Sequence, residues 1–232
     1  MIRAVIFEPE GTLFPAGYGG GAFFRAQARR WVDATAGDRQ NEAELAKRLR
    51  QLRGEPGFEL GEFYARIVRE FGLPLRAAGV LRREYEEGWS RAAQPLEGAE
   101  LLLSRLARRG HRLGLVAEDG GCEQARRLEN AGWGERFDTV FTTDARGRGR
   151  VDKDLLGRAV RCLGVAPDEA AFVAAKRGLA LVAARAAGLY TVWIGNDSSG
   201  GAAPAALADL RLSRLDELTD ALEMLALSRP VS

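Results

Sequence analysis

The sequence predicts an α/β protein: a doubly wound parallel sheet, interrupted after its first strand by an inserted four-helix segment. Three observations predict it. From residue 95 onward, short apolar runs alternate with stretches of helical period, the rhythm of βαβ units. Glycines stand where those helical stretches stop, at Gly110, Gly132, Gly164 and Gly188. Between residues 22 and 93 no strand signal occurs, so a wholly helical stretch lies inside the α/β pattern and not beside it.

The elements follow in order. Residues 2–7 are apolar and β-branched and read as a buried strand, closed by a turn at Glu10-Gly11-Thr12. Residues 15–21 are glycine-rich and read as a linker. Apolar residues recur at helical spacing over 22–35, 42–53, 59–71 and 75–91, punctuated by Gly37, Gly54 and Gly72. After Pro95 the reading is helix 96–108, strand 112–117, helix 121–131, strand 138–142, helix 154–163 and strand 170–174. Helix 177–187, strands 189–194 and 209–212 and helix 214–227 complete it. Residues 1–16 and 94–232 then form the α/β core, and 17–93 a helical cap. In such a sheet ligands bind beyond the carboxyl ends of the strands. That singles out residues 8–12, 117–120, 143–150 and 174–178.

Composition removes several function classes. A chain of 232 residues buries roughly 70–75% of its unfolded surface and needs no disulfide or metal to fold. The net charge is +2 and the only lysines are Lys47, Lys153 and Lys176. The arginines are dispersed among acids, as on solvated helix faces, with pairs such as Arg126-Arg127 but no basic tract. No nucleic-acid partner is expected. No apolar run has membrane-spanning length. The run Ala4-Val5-Ile6-Phe7 stops at Glu8, too short for a signal-peptide core, so a cytoplasmic location is expected. Cys122 and Cys162 read as reduced helix residues. His111, just before a strand, is expected to be exposed, and Trp31, Trp89, Trp133 and Trp193 to serve packing. The glycine-rich stretch 195–201 lacks a following Lys-Ser or Lys-Thr and is no phosphate-binding loop.

Several segments together resemble one family. Ile6-Phe7-Glu8-Pro9-Glu10-Gly11-Thr12-Leu13 resembles the opening motif of the haloacid dehalogenase-like (HAD) hydrolases, Asp-x-Asp-Gly-Thr-Leu after a hydrophobic strand. Pro95-Leu96-Glu97-Gly98 is similar to the family's re-entry from a cap. Leu163-Gly164-Val165 is similar to its Leu-Gly-Val connection, and Phe172-Val173 with Ala184-Arg185-Ala186-Ala187-Gly188 to the frame of its fourth motif. The resemblance spans about residues 2 to 218. It implies a Rossmann-like core with a helical cap, magnesium-assisted chemistry and an aspartyl-phosphate intermediate.

The residues at the implied catalytic positions depart from that pattern. Glu8 stands at the nucleophile position and Glu10 at the general acid and base. Each adds a methylene, moving its carboxylate outward by about 1.5 Å. The second motif's phosphate-holding hydroxyl falls on Ala117, followed by Glu118, and no Ser or Thr occurs between Leu106 and Asp138. The third motif's lysine falls on Arg150, with Lys153 one turn away. The magnesium-holding acids of the fourth motif fall on Ala175 and Ala180, and no Asp or Glu occurs from Phe172 to Gly188. Lys176 and Arg177 stand there instead.

The expectation is therefore a family member that has lost phosphatase activity. Its core/cap cleft, with Thr12, Ala117, Glu118, Arg150 and Lys176 as binding positions, would take a small anion or a protein partner, without a metal cofactor. Glu8 or Glu10 is expected to form an ion pair with Lys176 or Arg150, with Arg177 as the fallback partner. Two other functions fit the sequence: a slow or metal-independent hydrolase using Glu8, and a structural subunit of an oligomer, such as a homodimer, with the cap as interface. Haloacid dehalogenases proper dispense with magnesium but use the nucleophilic Asp, which Glu8 replaces.

Overall fold

A computed structural model of the chain describes residues 1–15, 20–34, 39–53, 60–92, 94–118, 121–143, 150–175, 179–195 and 208–228. Among the described residues six strands form one sheet: β1 (Ala4–Phe7), β2 (Arg112–Ala117), β3 (Thr139–Thr142), β4 (Ala170–Ala174), β5 (Tyr190–Ile194) and β6 (Leu210–Leu212). They are ordered β3-β2-β1-β4-β5-β6, and every pairing is parallel. The chain runs outward from β1 to β3, then crosses to β4 and runs the other way. The order therefore reverses between β1 and β4, which makes that junction the topological switch point.

The strands read as continuous apolar runs because both faces of the sheet are covered. β1 alternates: Val5 and Phe7 join one core, Ala4 and Ile6 the other. The first core is completed by α5 (Ala99–Arg108), α6 (Gly121–Asn130) and α9 (Leu218–Ser228), through Leu103, Leu128 and Leu222. The second is completed by α7 (Lys153–Cys162) and α8 (Leu179–Ala186), through Leu156 and Leu181. Gly114 of β2 allows close approach to both neighbours, since a Cβ there would stand 3.2 Å from both Ile6 Cγ1 and Leu163 Cδ1.

Between β1 and α5 the chain makes α1 (Gly20–Ala34), α2 (Arg39–Arg53), α3 (Leu60–Glu70) and α4 (Arg76–Ala92). α1 packs on α2 and α4, and α3 on α4. Their core is aromatic: Phe24 stacks on Tyr85 at 6.4 Å, and Phe63 meets Tyr64 edge-on at 4.5 Å. One buried polar group crosses it. The Gln27 amide donates to Leu81 O at 2.9 Å and accepts from the Tyr64 hydroxyl at 3.0 Å, so the packing of α1, α3 and α4 is fixed in register without an orphaned group. This insert meets the core along α4 and α6, where Arg126 donates to the Glu86 carbonyl. The two connecting segments also bond each other, Leu96 N donating to Leu13 O at 2.8 Å.

Element bounds differ from the sequence expectation mainly at helix starts. α5 begins at Ala99 because Gly98 takes a left-handed conformation, with φ 82°. α9 begins at Leu218 because a 3-10 turn occupies Leu215–Glu217. Trp133 and Trp193 pack as expected, Trp133 against Phe14 at 5.2 Å. His111 does not match its expected exposure: it is half-buried, and its Nδ1 is enclosed without a hydrogen-bond partner. It sits in the corner where α5 turns into β2, and Arg109 and Glu223 pair beside it at 2.7 Å. No helix among the described residues is long and apolar enough to cross a membrane.

Candidate active site

Parallel register brings three strand ends together. Phe7, the last residue of β1, lies opposite Leu115 on one side and Val173 on the other. Glu8 therefore emerges between the ends of β2 and β4, with neighbouring strands about 4.8 Å away. Its backbone N–H donates to Val173 O at 2.9 Å, which holds the start of the turn against β4. The turn is made by backbone groups. Leu13 and Phe14 both donate to Pro9 O at 2.9 Å, Gly11 donates to Phe14 O, and Gly11 takes φ 75°, a conformation in which a side chain would be strained.

The side chains expected to form the site divide clearly. Glu8 is buried, with 3% of its surface exposed, and Glu10 is half-buried. Thr12 is buried and its hydroxyl has no hydrogen-bond partner. Ala117 is buried at the end of β2, and Glu118 follows, half-buried, its carbonyl accepting from the Thr143 hydroxyl at 3.2 Å. That bond, with Thr143 N donating to Ala117 O at 3.1 Å, ties the ends of β2 and β3 together. Ala175, just past β4, is half-buried and its carbonyl accepts from Trp193 Nε1 at 3.1 Å. Ala180 is half-buried in the first turn of α8. Arg150 is exposed, and no ion pair joins it to Glu8 or Glu10. The expected partner Lys176, with Arg177, lies outside the described residues.

One residue near the site was not legible as such. Arg127 is completely buried in α6, its guanidinium 5.1 Å from the centre of the Phe14 ring. The sequence reading placed Arg126-Arg127 on a solvated face, which holds for Arg126 only. The signal was present in the spacing. Gln124, Arg127 and Leu128 stand at i, i+3 and i+4 on one helix face, and all three are buried. This buried cation lies over the ring that closes the Glu8–Phe14 turn and so brings positive charge to that end of the turn.

A family model described as haloacid dehalogenase-like hydrolase matches residues 2–174, which includes β1, the four-helix insert and the strands through β4. The chain belongs to the haloacid dehalogenase-like hydrolases. The phosphoserine phosphatase of Thermus thermophilus is 32% identical over 174 residues, 70% of this chain and 68% of that protein. The glyceraldehyde 3-phosphate phosphatase of Methanopyrus kandleri is 26% identical over 233 residues, 97% of this chain and 99% of that one. Among solved structures, a HAD phosphatase from Thermococcus onnurineus superposes with a TM-score of 0.68 at 21% identity, covering 95% of this chain and 98% of that chain. An L-2-haloacid dehalogenase from Xanthobacter autotrophicus does so with 0.65 at 20%, covering 96% and 99%. At that identity these two show the fold alone.

The HAD fold implies magnesium, and the donor set decides whether the residues present fit it. Magnesium demands near-octahedral oxygen coordination, usually through one or two carboxylates beside substrate and water. Past β4, the side chains of Ala175 and Ala180 carry no donor atom. Among the described residues no group of three or more His, Cys, Asp or Glu side chains is placed to hold a metal. The residues described do not fit the ion.

Proposed function

We propose that this haloacid dehalogenase-like hydrolase has lost phosphate-ester hydrolysis and retains its site as a binding cleft between the α/β core and a cap formed by residues 17–93. The observation that carries the reading is the set of alanines at Ala117, Ala175 and Ala180, the positions that the resemblance aligns with the family's hydroxyl and two carboxylates. A hydroxyl or carboxylate truncated to methyl leaves that side chain no oxygen to offer, and after β2 the next side chain, Glu118, would bring negative charge towards a phosphate. Glu8 and Glu10 keep the charge of the nucleophile and acid–base positions but present it about 1.5 Å further out. A misplacement of about 1 Å alone costs on the order of 100-fold in rate. Glu8, Glu10, Thr12, Glu118, Arg150 and Lys176 would then line a site for an anion or a protein segment.

A second reading has one observation in its favour. Glu8 is a carboxylate, buried at the position of the nucleophile, so a slow, metal-independent hydrolase remains chemically conceivable. A single assay separates the two. With and without magnesium, the chain is offered phosphate monoesters, including phosphoserine and glyceraldehyde 3-phosphate, beside a Glu8→Ala variant. Background turnover in every case is expected. Metal-stimulated turnover abolished by Glu8→Ala would overturn the proposal, and metal-independent turnover abolished by it would establish the Glu8 hydrolase.

A further inference from the structure

A second cleft lies beside the strand-end site and shares Thr12 with it. Its volume is about 560 Å³, within the range of small-molecule sites. One wall is α5, through Leu101, Leu102 and Arg105; the opposite wall is Ile194 at the end of β5 with Leu215 of the 3-10 turn. The two segments that connect core and insert close the remaining side, Gly11 and Thr12 on the way out and Leu96 to Gly98 on the way back. Neither Glu8 nor Ala117 nor Ala175 lines it.

The lining combines an apolar body with a few polar groups. Leu96, Leu101, Leu102, Ile194 and Leu215 make it largely hydrocarbon, and Leu101 leaves 49% of its surface to solvent. Two threonines at its wall are anomalous. Thr12 and Thr219 are each 1% exposed, and neither hydroxyl has a hydrogen-bond partner. Buried hydroxyls are nearly always satisfied, so two orphans on one cleft need a physical reason. Both Oγ atoms are closed off in this rotamer; a change to another staggered χ1 well, which exchanges hydroxyl and methyl and breaks no hydrogen bond, is what a ligand would have to induce to meet them.

The charge at the rim selects the ligand's head. Arg214 is paired with Asp216. Arg105 is exposed and, among the described residues, in no ion pair, although it lies near enough to Asp216 to help hold that carboxyl below its usual range, mainly an effect of Arg214. Arg105 also lines an adjoining hollow of about 460 Å³ with Arg108, Arg109 and Asp220, and Glu223 pairs with Arg109, so three guanidinium groups meet two carboxylates there. Glu97, the other acid of the cleft, is at the opposite end of the wall, eight residues from Arg105 along the chain. An ionised carboxylate only accepts hydrogen bonds. It would answer the unpaired Arg105 and the two hydroxyl donors together, while a hydrocarbon or aromatic body covered Leu96, Leu101 and Ile194.

We propose that this cleft at the root of the four-helix insert is a binding site for a small apolar monocarboxylic acid, held by Arg105, Thr12 and Thr219. Such a ligand would touch both connecting segments at once, the pair already joined by the Leu96 to Leu13 hydrogen bond, and would fix them relative to one another. The site does not depend on whether the strand-end cleft is catalytic.

Isothermal titration of the full chain with octanoate tests it, with 1-octanol and inorganic phosphate as probes lacking the charge and the apolar body. Octanoate is expected to bind one per chain, and the other two at least tenfold more weakly. Arg105→Gln, a change at an exposed position, is expected to weaken octanoate about tenfold or more, the scale of one charge-assisted hydrogen bond. Thr219→Val keeps the shape and removes the hydroxyl; it should weaken octanoate several-fold while leaving the thermal midpoint unchanged or raised. Glu8→Ala should leave octanoate affinity as it is. The proposal is overturned if octanoate does not saturate, if 1-octanol binds as well, if Arg105→Gln and Thr219→Val have no effect, or if Glu8→Ala abolishes binding and so places the ligand in the other cleft.

Discussion

If the missing carboxylates past β4 are what separate this chain from an active relative, restoring them should create metal affinity before it creates turnover. The perturbation is Ala175→Asp with Ala180→Asp, made in a Glu8→Asp background and compared with Glu8→Asp alone. Ala175 follows the end of β4 and Ala180 lies in the first turn of α8, both half-buried, so the new carboxylates would add negative charge to the strand end beside which the carboxylate at position 8 is already buried. Like charges so placed repel and raise one another's proton affinity. Without metal the triple variant should therefore unfold at lower temperature than the wild type. With magnesium at about 100 times its dissociation constant, binding to the folded state alone contributes about 2.7 kcal/mol. For a chain of this size each kcal/mol moves the midpoint by roughly 2–4 °C, so the expected rise is about 5–11 °C. Thermal unfolding followed by circular dichroism, with and without magnesium, reads it directly. The wild type and Glu8→Asp should show no comparable rise, and Glu8→Asp alone should stay at background turnover, because residues acting as one catalytic unit are grossly non-additive. A magnesium-dependent rise of that size in the wild type, or substantial phosphatase activity in Glu8→Asp alone, would refute the reasoning and show that the metal site is intact.

Two further predictions concern ionisation away from the site. Glu70 bridges α2 and α3, accepting from Arg48 at 2.8 Å and Arg66 at 2.9 Å, and the Arg48 hydrogen bond above all lowers its pKa from 4.5 to about 2. Its folded pKa is depressed, so the stability it contributes is fully present above about pH 4.5 and lost as pH falls towards 2; screening at this partly exposed pair reduces its worth to about 1 kcal/mol. Glu70→Gln should be less stable than wild type by that amount at pH 7, and the gap should close by pH 2; a gap that is unchanged across that window would exclude the ion pair as its source. His111 has its pKa lowered, by burial first and by Arg109 second, with Glu223 opposing. The unfolded chain then takes up the proton first as pH falls below about 6.5, so stability falls with it. Unfolding midpoints between pH 7.5 and 5 should decline less in His111→Asn than in the wild type, and parallel declines would count against burial as the cause.

The fold was legible because its signals are local and repeated. β2 and β4 fall at their expected residues, and α5, α7 and α8 stop at their glycines, since a buried parallel strand leaves an apolar run and a helix end leaves a glycine. What was misread depends on contacts between elements. Nothing near His111 in the sequence announces that α5, β2 and α9 close over it. Arg127 reads in sequence as half of a solvated pair, and it is the packing of its helix face, shared with Gln124 and Leu128, that buries it over Phe14. The orphaned hydroxyls of Thr12 and Thr219 are 207 residues apart in sequence, and only the packing of α9 beside the β1 turn puts them on one cleft.

If phosphate-ester hydrolysis is lost as proposed, the turn that carries Glu8 and Glu10 explains how the family motif can persist without it. Its geometry is set by main-chain groups: Glu8 N on Val173 O, Leu13 and Phe14 N on Pro9 O, and the positive φ of Gly11. None of these bonds uses an acidic side chain. Replacing carboxylates by alanine at Ala175 and Ala180 therefore removes the chemistry of the strand ends without disturbing the hydrogen bonds that shape them. The same replacement removes a cost, because clustered buried carboxylates repel when no metal is bound. The backbone scaffold and the reacting groups are thus separable, and selection on binding alone would preserve the first while leaving the second free to change.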